Sequence, residues 1–299
     1  MQNIQIDWFF YTIIFTIIYG AVNFMYKIAA HHNCSSHKII KISAITVSIL
    51  SLTIIIITGS PFTNLKMIFF FALINSFFFG MGGIVKIQSL KFIPTSFAFP
   101  ITKLNAVLLI IYALILFNER PTMIQWLGIG ISIFVLAYIS FNINSESKKN
   151  KGKDKKQLFG IVFALLAAFA TSISMLTGKY ASTEVPKINF IFISYTMVIV
   201  YTILINKFLV KKENKKNKTA SKKVILFGII IGVLNFVGYY LVLSAFATGP
   251  LSLIQGISAN SFIIPIILSI IFLKEKFTYK NAIVVFLSII SIILIKLEF

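Results

Sequence analysis

Lys103 is the residue in this sequence whose type and position most demand a chemical role. It lies nine residues into an apolar run that begins at Pro94, which at 1.5 Å per helical residue puts it about 13 Å deep. An ammonium group at that depth must lose its proton, stay hydrated in a cavity, or pair with an anionic group. The other reading of Lys103 is a side chain that snorkels or caps backbone carbonyls. Lys86 shares a helical face with Asn75, Phe79 and Gly82, but near the end of its own apolar run it can also reach an interface by snorkelling.

Amides and phenols surround these lysines in the reading. Thr16, Tyr19, Asn23 and Lys27 line up on one face, as do Asn235 with Tyr239, and Ser252 with Gln255 and Ser258 or Ala259. Asn260 lies at similar depth on a different face. Such groups orient a polar ligand without imposing a charge. The candidate substrate-binding set is therefore Lys103, Lys86, Asn75, Tyr19, Asn23, Asn235, Tyr239 and Gln255. Thr171, Ser174 and Gly178 form a similar row, for which ordinary helix packing is the favoured reading.

The acids are placed differently. Apart from Asp7 at the mouth of the first apolar run, Asp and Glu are absent from the middle of every run. That disfavours exchange of a cation for protons and favours a substrate with a carboxylate or phosphate. Glu119 and Glu275 each close one helix, where a carboxylate should stabilise the positive N-terminus of the helix that follows. Pro100 and Pro265 sit inside apolar runs and should kink them, which neighbouring helices make tolerable.

The elements that must hold these residues follow from composition. The 299 residues are 58% hydrophobic and 12% charged, with a mean hydropathy of +0.93. A soluble domain carries roughly 25% charged residues, so a soluble protein is excluded. A bilayer core needs about 20 apolar residues per helix, and ten runs satisfy this: 7–28, 38–58, 66–90, 94–117, 121–142, 158–181, 186–209, 223–247, 249–273 and 277–297. Runs such as Ile54 to Ile57 are apolar on every side, which excludes the alternation of a membrane β-barrel. The first run exceeds a signal-peptide core and should be retained.

Helices that alternate in direction divide the loops between two faces. The face holding both ends of the chain carries 5 basic residues and the opposite, lysine-rich face 21. The formal charge of +20 is thus a topological signal, placing the lysine-rich face in the cytoplasm. The tracts Lys148 to Lys156 and Lys211 to Lys223 show no aromatic interleaving or helical patterning, so nucleic acid is not expected as a partner. His31, His32, Cys34 and His37 share the first loop, but their spacing fits no closed metal site, and no metal or cofactor is expected. Gly80-Met81-Gly82-Gly83 lies within a run and suits helix packing rather than a phosphate cradle.

Residues 94–122 match 250–278 without a gap: Pro94 with Pro250, Ser96 with Ser252, Glu119 with Glu275 and Thr122 with Thr278. The fourth run thus falls on the ninth. Five helices per half is an odd number, so the second half enters the membrane inverted. The reading is an all-α membrane protein of ten transmembrane helices in two inverted five-helix repeats: 1–144, a lysine-rich cytoplasmic linker 145–157, and 158–299.

With Pro94-Thr95-Ser96 and Gly249-Pro250-Leu251-Ser252 opening the fourth helix of each half, and Asn118-Glu119-Arg120-Pro121 and Lys274-Glu275-Lys276-Phe277 closing it, the chain resembles the EamA branch of the drug/metabolite transporter superfamily. The resemblance implies a basket of helices 1, 3, 4, 6, 8 and 9 around a central cavity, with helices 5 and 10 behind. It further implies a cell-membrane secondary transporter, not an enzyme, exporting a small polar metabolite such as an amino acid or organic anion by alternating access. Its partners would be that anionic or zwitterionic solute and the lipid bilayer. The competing reading, an intramembrane enzyme acting on lipid or a lipid-linked sugar, needs a convergent nucleophile and base, and the acids available are isolated ones.

Overall fold

The computed structural model describes residues 7–93, 95–147, 154–209, 218–273 and 279–297. Pro94, most of both lysine tracts and the Lys274 to Thr278 segment with Glu275 lie outside the described residues. The helices run α1 (Trp8–His31), α2 (Ser36–Thr58), α3 (Leu65–Phe92), α4 (Thr95–Thr102), α5 (Leu104–Leu116), α6 (Met123–Ser147), α7 (Asp154–Glu184), α8 (Lys187–Leu209), α9 (Lys218–Thr248), α10 (Leu251–Ala259), α11 (Ile263–Leu273) and α12 (Tyr279–Lys296). A single 3₁₀ turn, Asn260–Phe262, joins α10 to α11.

Each apolar run has become a helix or a broken helix. Among the described residues, seven helical stretches are long and apolar enough to cross a bilayer, and Pro100–Leu116, Met123–Tyr138 and Ala282–Lys296 are shorter apolar ones. Their outward side chains would be intolerable in water: Met123 is 83% exposed, Ile57 77% and Phe272 67%. In lipid the same surface is at equilibrium, and the polar groups must be satisfied inside. Many are satisfied locally, as where Thr12 and Thr16 donate to the Trp8 and Thr12 carbonyls one turn back.

Packing shows the relation between the halves. Laying α1, α2 and α3 on α7, α8 and α9 carries the α1–α9 contact onto α3–α7, and α2–α9 onto α3–α8. Likewise α1–α11 is carried onto α5–α7 and α1–α10 onto α4–α7, while α2–α8 and α6–α12 map onto themselves. This is the signature of a pseudo-two-fold axis between two equivalent five-helix units. A large apolar core joins α1, α2, α3, α7, α8 and α9, and a smaller cluster of Ile110, Ile129, Leu253, Ile257 and Ile295 ties α5 and α10 to α6 and α12 behind them. Glycines allow the closest crossings: a Cβ at Gly82 would meet Ala170 and Thr171, and one at Gly238 the Tyr19 ring. The glycine-rich stretch of α3 is packing surface.

The fourth and ninth spans are each interrupted partway along their length. In the fourth, Lys103 adopts φ −78°, ψ −5° between α4 and α5, and its N–H donates to the Pro100 carbonyl at 3.1 Å, a tight-turn bond. In the ninth, Asn260 begins the 3₁₀ turn. Proline supplies the cause in the ninth: Pro265 has no N–H and its ring displaces the carbonyl four residues back, that of Ser261, whereas Pro100 lies inside α4 and the fourth span breaks three residues after it. The kinks expected at Pro100 and Pro265 are thus outright breaks, one residue apart in the repeat register.

Candidate functional site

The two breaks face each other, and Lys103 joins them. Its ammonium donates to the Ser258 carbonyl at 3.1 Å. Ser258 is the penultimate residue of α10, so this carbonyl belongs to the negative end of a half-helix. That end compensates the lysine charge without a carboxylate. Of the two sequence readings of Lys103, the carbonyl cap is what the geometry displays.

Lys86 reaches inward from α3. Its ammonium donates to Asn23 Oδ1 at 2.6 Å and lies 5.7 Å from the centre of the Tyr26 ring. It therefore does not snorkel to an interface. Lys86 and Lys103 are enclosed by protein yet each keeps accessible surface, and they lie near enough to repel each other. Among the described residues no carboxylate forms a salt bridge with either.

The remaining candidates distribute around these two. Asn75 Nδ2 bridges the halves, within 2.7 Å of Tyr239 Oη, 2.8 Å of the Ser174 carbonyl and 3.0 Å of Ser174 Oγ. The α3 face read from the sequence is thus turned into the bundle: Asn75 and Gly82 meet α7, Phe79 stacks near Tyr195 and Tyr239, and Lys86 meets α1. Tyr19 is half-buried and packs edge-on against Phe15. Asn235 donates to Ser43 Oγ at 3.2 Å. Gln255 is fully buried, accepts from Ser258 Oγ at 3.0 Å, and points its amide at the Met175 sulfur 3.9 Å away.

These residues do not lie at one level. Lys86, Asn23 and Tyr26 sit toward the lysine-rich end, Lys103 and Gln255 near the breaks, and Asn75 and Tyr239 toward the opposite end. Asn235 meets Ser43 of α2 and Tyr26 of α1. Asn260 faces backward, donating to Ser132 Oγ at 2.9 Å within a buried cluster in which Ser132 and Ser291 pair. Ser174, assigned to packing, both packs and holds Asn75.

Sequence reading missed Tyr26, Asn105 and Tyr195. Tyr26 continues the Tyr19–Asn23 face at the next helical position, a signal present but unused. Asn105 points its amide at Met175 Sδ, 3.8 Å away, from just beyond the break. Tyr195 is 1% exposed and its hydroxyl has no hydrogen-bond partner among the described residues; it falls in a run whose polar residues gave no pattern.

Glu119 corrects the expectation made for it. Instead of the following helix, it caps α10 from across the molecule: Leu251 N–H donates to Oε1 at 2.6 Å, Ser252 N–H to Oε2 at 2.8 Å, and Ser252 Oγ to Oε2 at 2.5 Å. The helix after Glu119 is already capped by its own reciprocal pair. Gln125 Oε1 accepts from Thr122 N–H at 2.9 Å, and Gln125 N–H donates to Thr122 Oγ1 at 3.4 Å, the capping box of a T-x-x-Q sequence. Asn118, in the left-handed region at φ 51°, turns the chain so that Glu119 points at α10.

In the first loop His32 stacks on Phe227 and the Ser35 hydroxyl pairs with His37. Burial pushes the Cys34 thiol above its ordinary range, against the pull of Lys91 and Lys223.

The EamA-like transporter family model matches the chain twice, over residues 7–141 and 158–297. An uncharacterized transporter of Archaeoglobus fulgidus is 22% identical over 219 residues, covering 73% of this chain and 72% of that protein. An uncharacterized protein of Methanocaldococcus jannaschii is 28% identical over 138 residues, 46% of this chain and 96% of the relative. A crystal structure, described only as that of a protein, superposes with a TM-score of 0.69 at 13% identity, covering 95% of this chain and 98% of that one, and speaks to the fold alone.

Proposed function

The chain belongs to the EamA-like transporter family of the drug/metabolite transporter superfamily, and from that premise we propose that it is a secondary transporter exporting a small polar metabolite with a carboxylate or phosphate group, by alternating access. The observation that carries the substrate class is the pair Lys86 and Lys103: two ammonium groups turned into the bundle, held by an amide oxygen and a backbone carbonyl rather than by carboxylates. A site with two positive charges and neutral partners gains most from an anion.

The two breaks give the binding step a consequence. A carboxylate or phosphate forms a charge-assisted bond with an ammonium, roughly twice as strong as one to a neutral carbonyl. An arriving anion therefore draws Lys103 away from Ser258, which loosens the C-terminal end of α10 and uncouples the fourth span from the ninth. Phenols nearby, with Tyr19 foremost, would orient the rest of the solute.

Counterflow in proteoliposomes preloaded with a pool of amino acids, organic acids and sugar phosphates tests this reading. Saturable exchange confined to anionic or zwitterionic solutes is expected. Chemical conversion of the solute would instead indicate an enzyme, and unsaturable flux a channel.

We place the protein in the cell membrane with the lysine-rich loops in the cytoplasm and both ends of the chain outside, since basic residues in short loops set orientation. A C-terminal reporter active only outside the cytoplasm should be active. Activity of a reporter that works only in the cytoplasm would reverse the orientation.

A further inference from the structure

The corner between α9 and α10, on the face where Asp7 and Leu297 lie, is held by a charge at each helix end. Glu119, at the end of α5, accepts from the Leu251 and Ser252 amides that begin α10. Lys179, near the end of α7, donates to the Phe246 carbonyl at 2.5 Å and to that of Gly249 at 3.1 Å, where α9 ends. A negative charge thus meets the positive end of one helix and a positive charge the negative end of the next. The two side chains also attract each other, and the Trp8 ring lies against Gly249. Spans from both halves therefore converge on one corner.

We propose that Glu119 and Lys179 form a latch that closes this end of the transporter, and that its release is the step that opens the pathway to the face carrying Asp7. The chemistry of the contact suits a reversible closure. The first amides of a helix have no partner within it, so water can take the place of Glu119 when the corner swings away. A carboxylate and an ammonium released at a membrane face are hydrated equally readily. Interdigitated apolar side chains would not exchange their partners so easily. Glu119 is the member that crosses between the halves, since it lies in the first and α10 in the second. It is thus a positioning residue for transport, acting through α10 rather than on the solute. The pseudo-symmetric construction makes the assignment economical: Ser252 opens the second broken span where Ser96 opens the first.

This inference rests on the alternating-access reading above, and its test needs no substrate. Met175 lies one helical turn below Lys179, packed between Asn105 and Gln255. In a Cys34→Ser background, Met175→Cys is labelled with a membrane-impermeant maleimide in right-side-out and in inside-out vesicles. With the latch intact, labelling from the Asp7 face should be slow. Glu119→Gln should raise the rate from that face at least tenfold and lower it from the opposite face. Should Glu119→Gln fail to fold, Ser252→Ala removes the hydroxyl bond alone and should shift both rates in the same directions by a smaller factor. An unchanged rate, or an equal rise from both faces, overturns the latch, because simple loosening has no sidedness. Absence of anion exchange in counterflow would leave these rates unaffected, so the two readings fail separately.

Discussion

Lys103→Met should cut saturable uptake of carboxylate- or phosphate-bearing solutes by about 30-fold or more, the effect of truncating one partner of a buried charged contact, without destabilising the protein. The two halves of that expectation have one origin. Lys103 sits among helices where, among the described residues, the Ser258 carbonyl is its one hydrogen-bond acceptor, an arrangement that costs folding energy when the ammonium is charged. Replacing an incompletely compensated charge by an apolar side chain of similar length is often neutral or stabilising. The unfolding midpoint in detergent should therefore hold or rise while transport is lost. Lys86→Met should have a smaller effect, since Lys86 already has Asn23 Oδ1 at 2.6 Å and a neighbouring phenol ring. Uptake unchanged across every transported anion would remove Lys103 from the site and leave it as a carbonyl cap.

The second large effect concerns the rear of the molecule. A Cβ placed on Gly128 of α6 would sit 2.9 Å from the Ser291 carbonyl oxygen, 3.0 Å from the Ile295 nitrogen and 2.8 Å from Ile295 Cγ1. Two of those atoms are backbone, so α12 itself must retreat. Ser291 also donates to the Gly128 carbonyl at 2.9 Å, and that bond would stretch with it. Gly128→Val should cost about 3 kcal/mol, the upper end for overpacking a core, seen as a lowered unfolding midpoint and reduced yield of folded protein. Gly130→Val supplies the control. Two residues along the same helix, a Cβ there meets nothing within 4 Å, so its stability should be unchanged or slightly improved, as expected when glycine leaves a helix interior. Equal behaviour of the two variants would show that α6 and α12 do not pack as closely as described.

How much of the site could be read in advance varies by residue. The inward face of α3 was legible because Asn75, Phe79, Gly82 and Lys86 recur at helical spacing, and a polar stripe on an apolar helix has to turn toward protein. What each stripe residue meets was not legible: Asn75 finds Ser174 and Tyr239 at sequence separations of 99 and 164, and no local rule specifies such partners. Glu119 shows the limit most clearly. Its chemistry, a carboxylate at a helix N-terminus, follows from its type, but the choice of helix depended on Thr122 and Gln125 having already closed the nearer one.

By itself the sequence determined the solvent, the number of spans and the inverted repeat, because each is fixed by local quantities: the length of an apolar run and the parity of the spans in each half. Tertiary structure alone decided that Lys103 faces the broken end of the opposite span, that Lys86 turns inward rather than to an interface, and that Glu119 grips α10. Those outcomes depend on which helix ends meet in space, and a hydrogen-bond donor or acceptor selects among all the partners the fold brings within 3 Å or so, not among its neighbours along the chain.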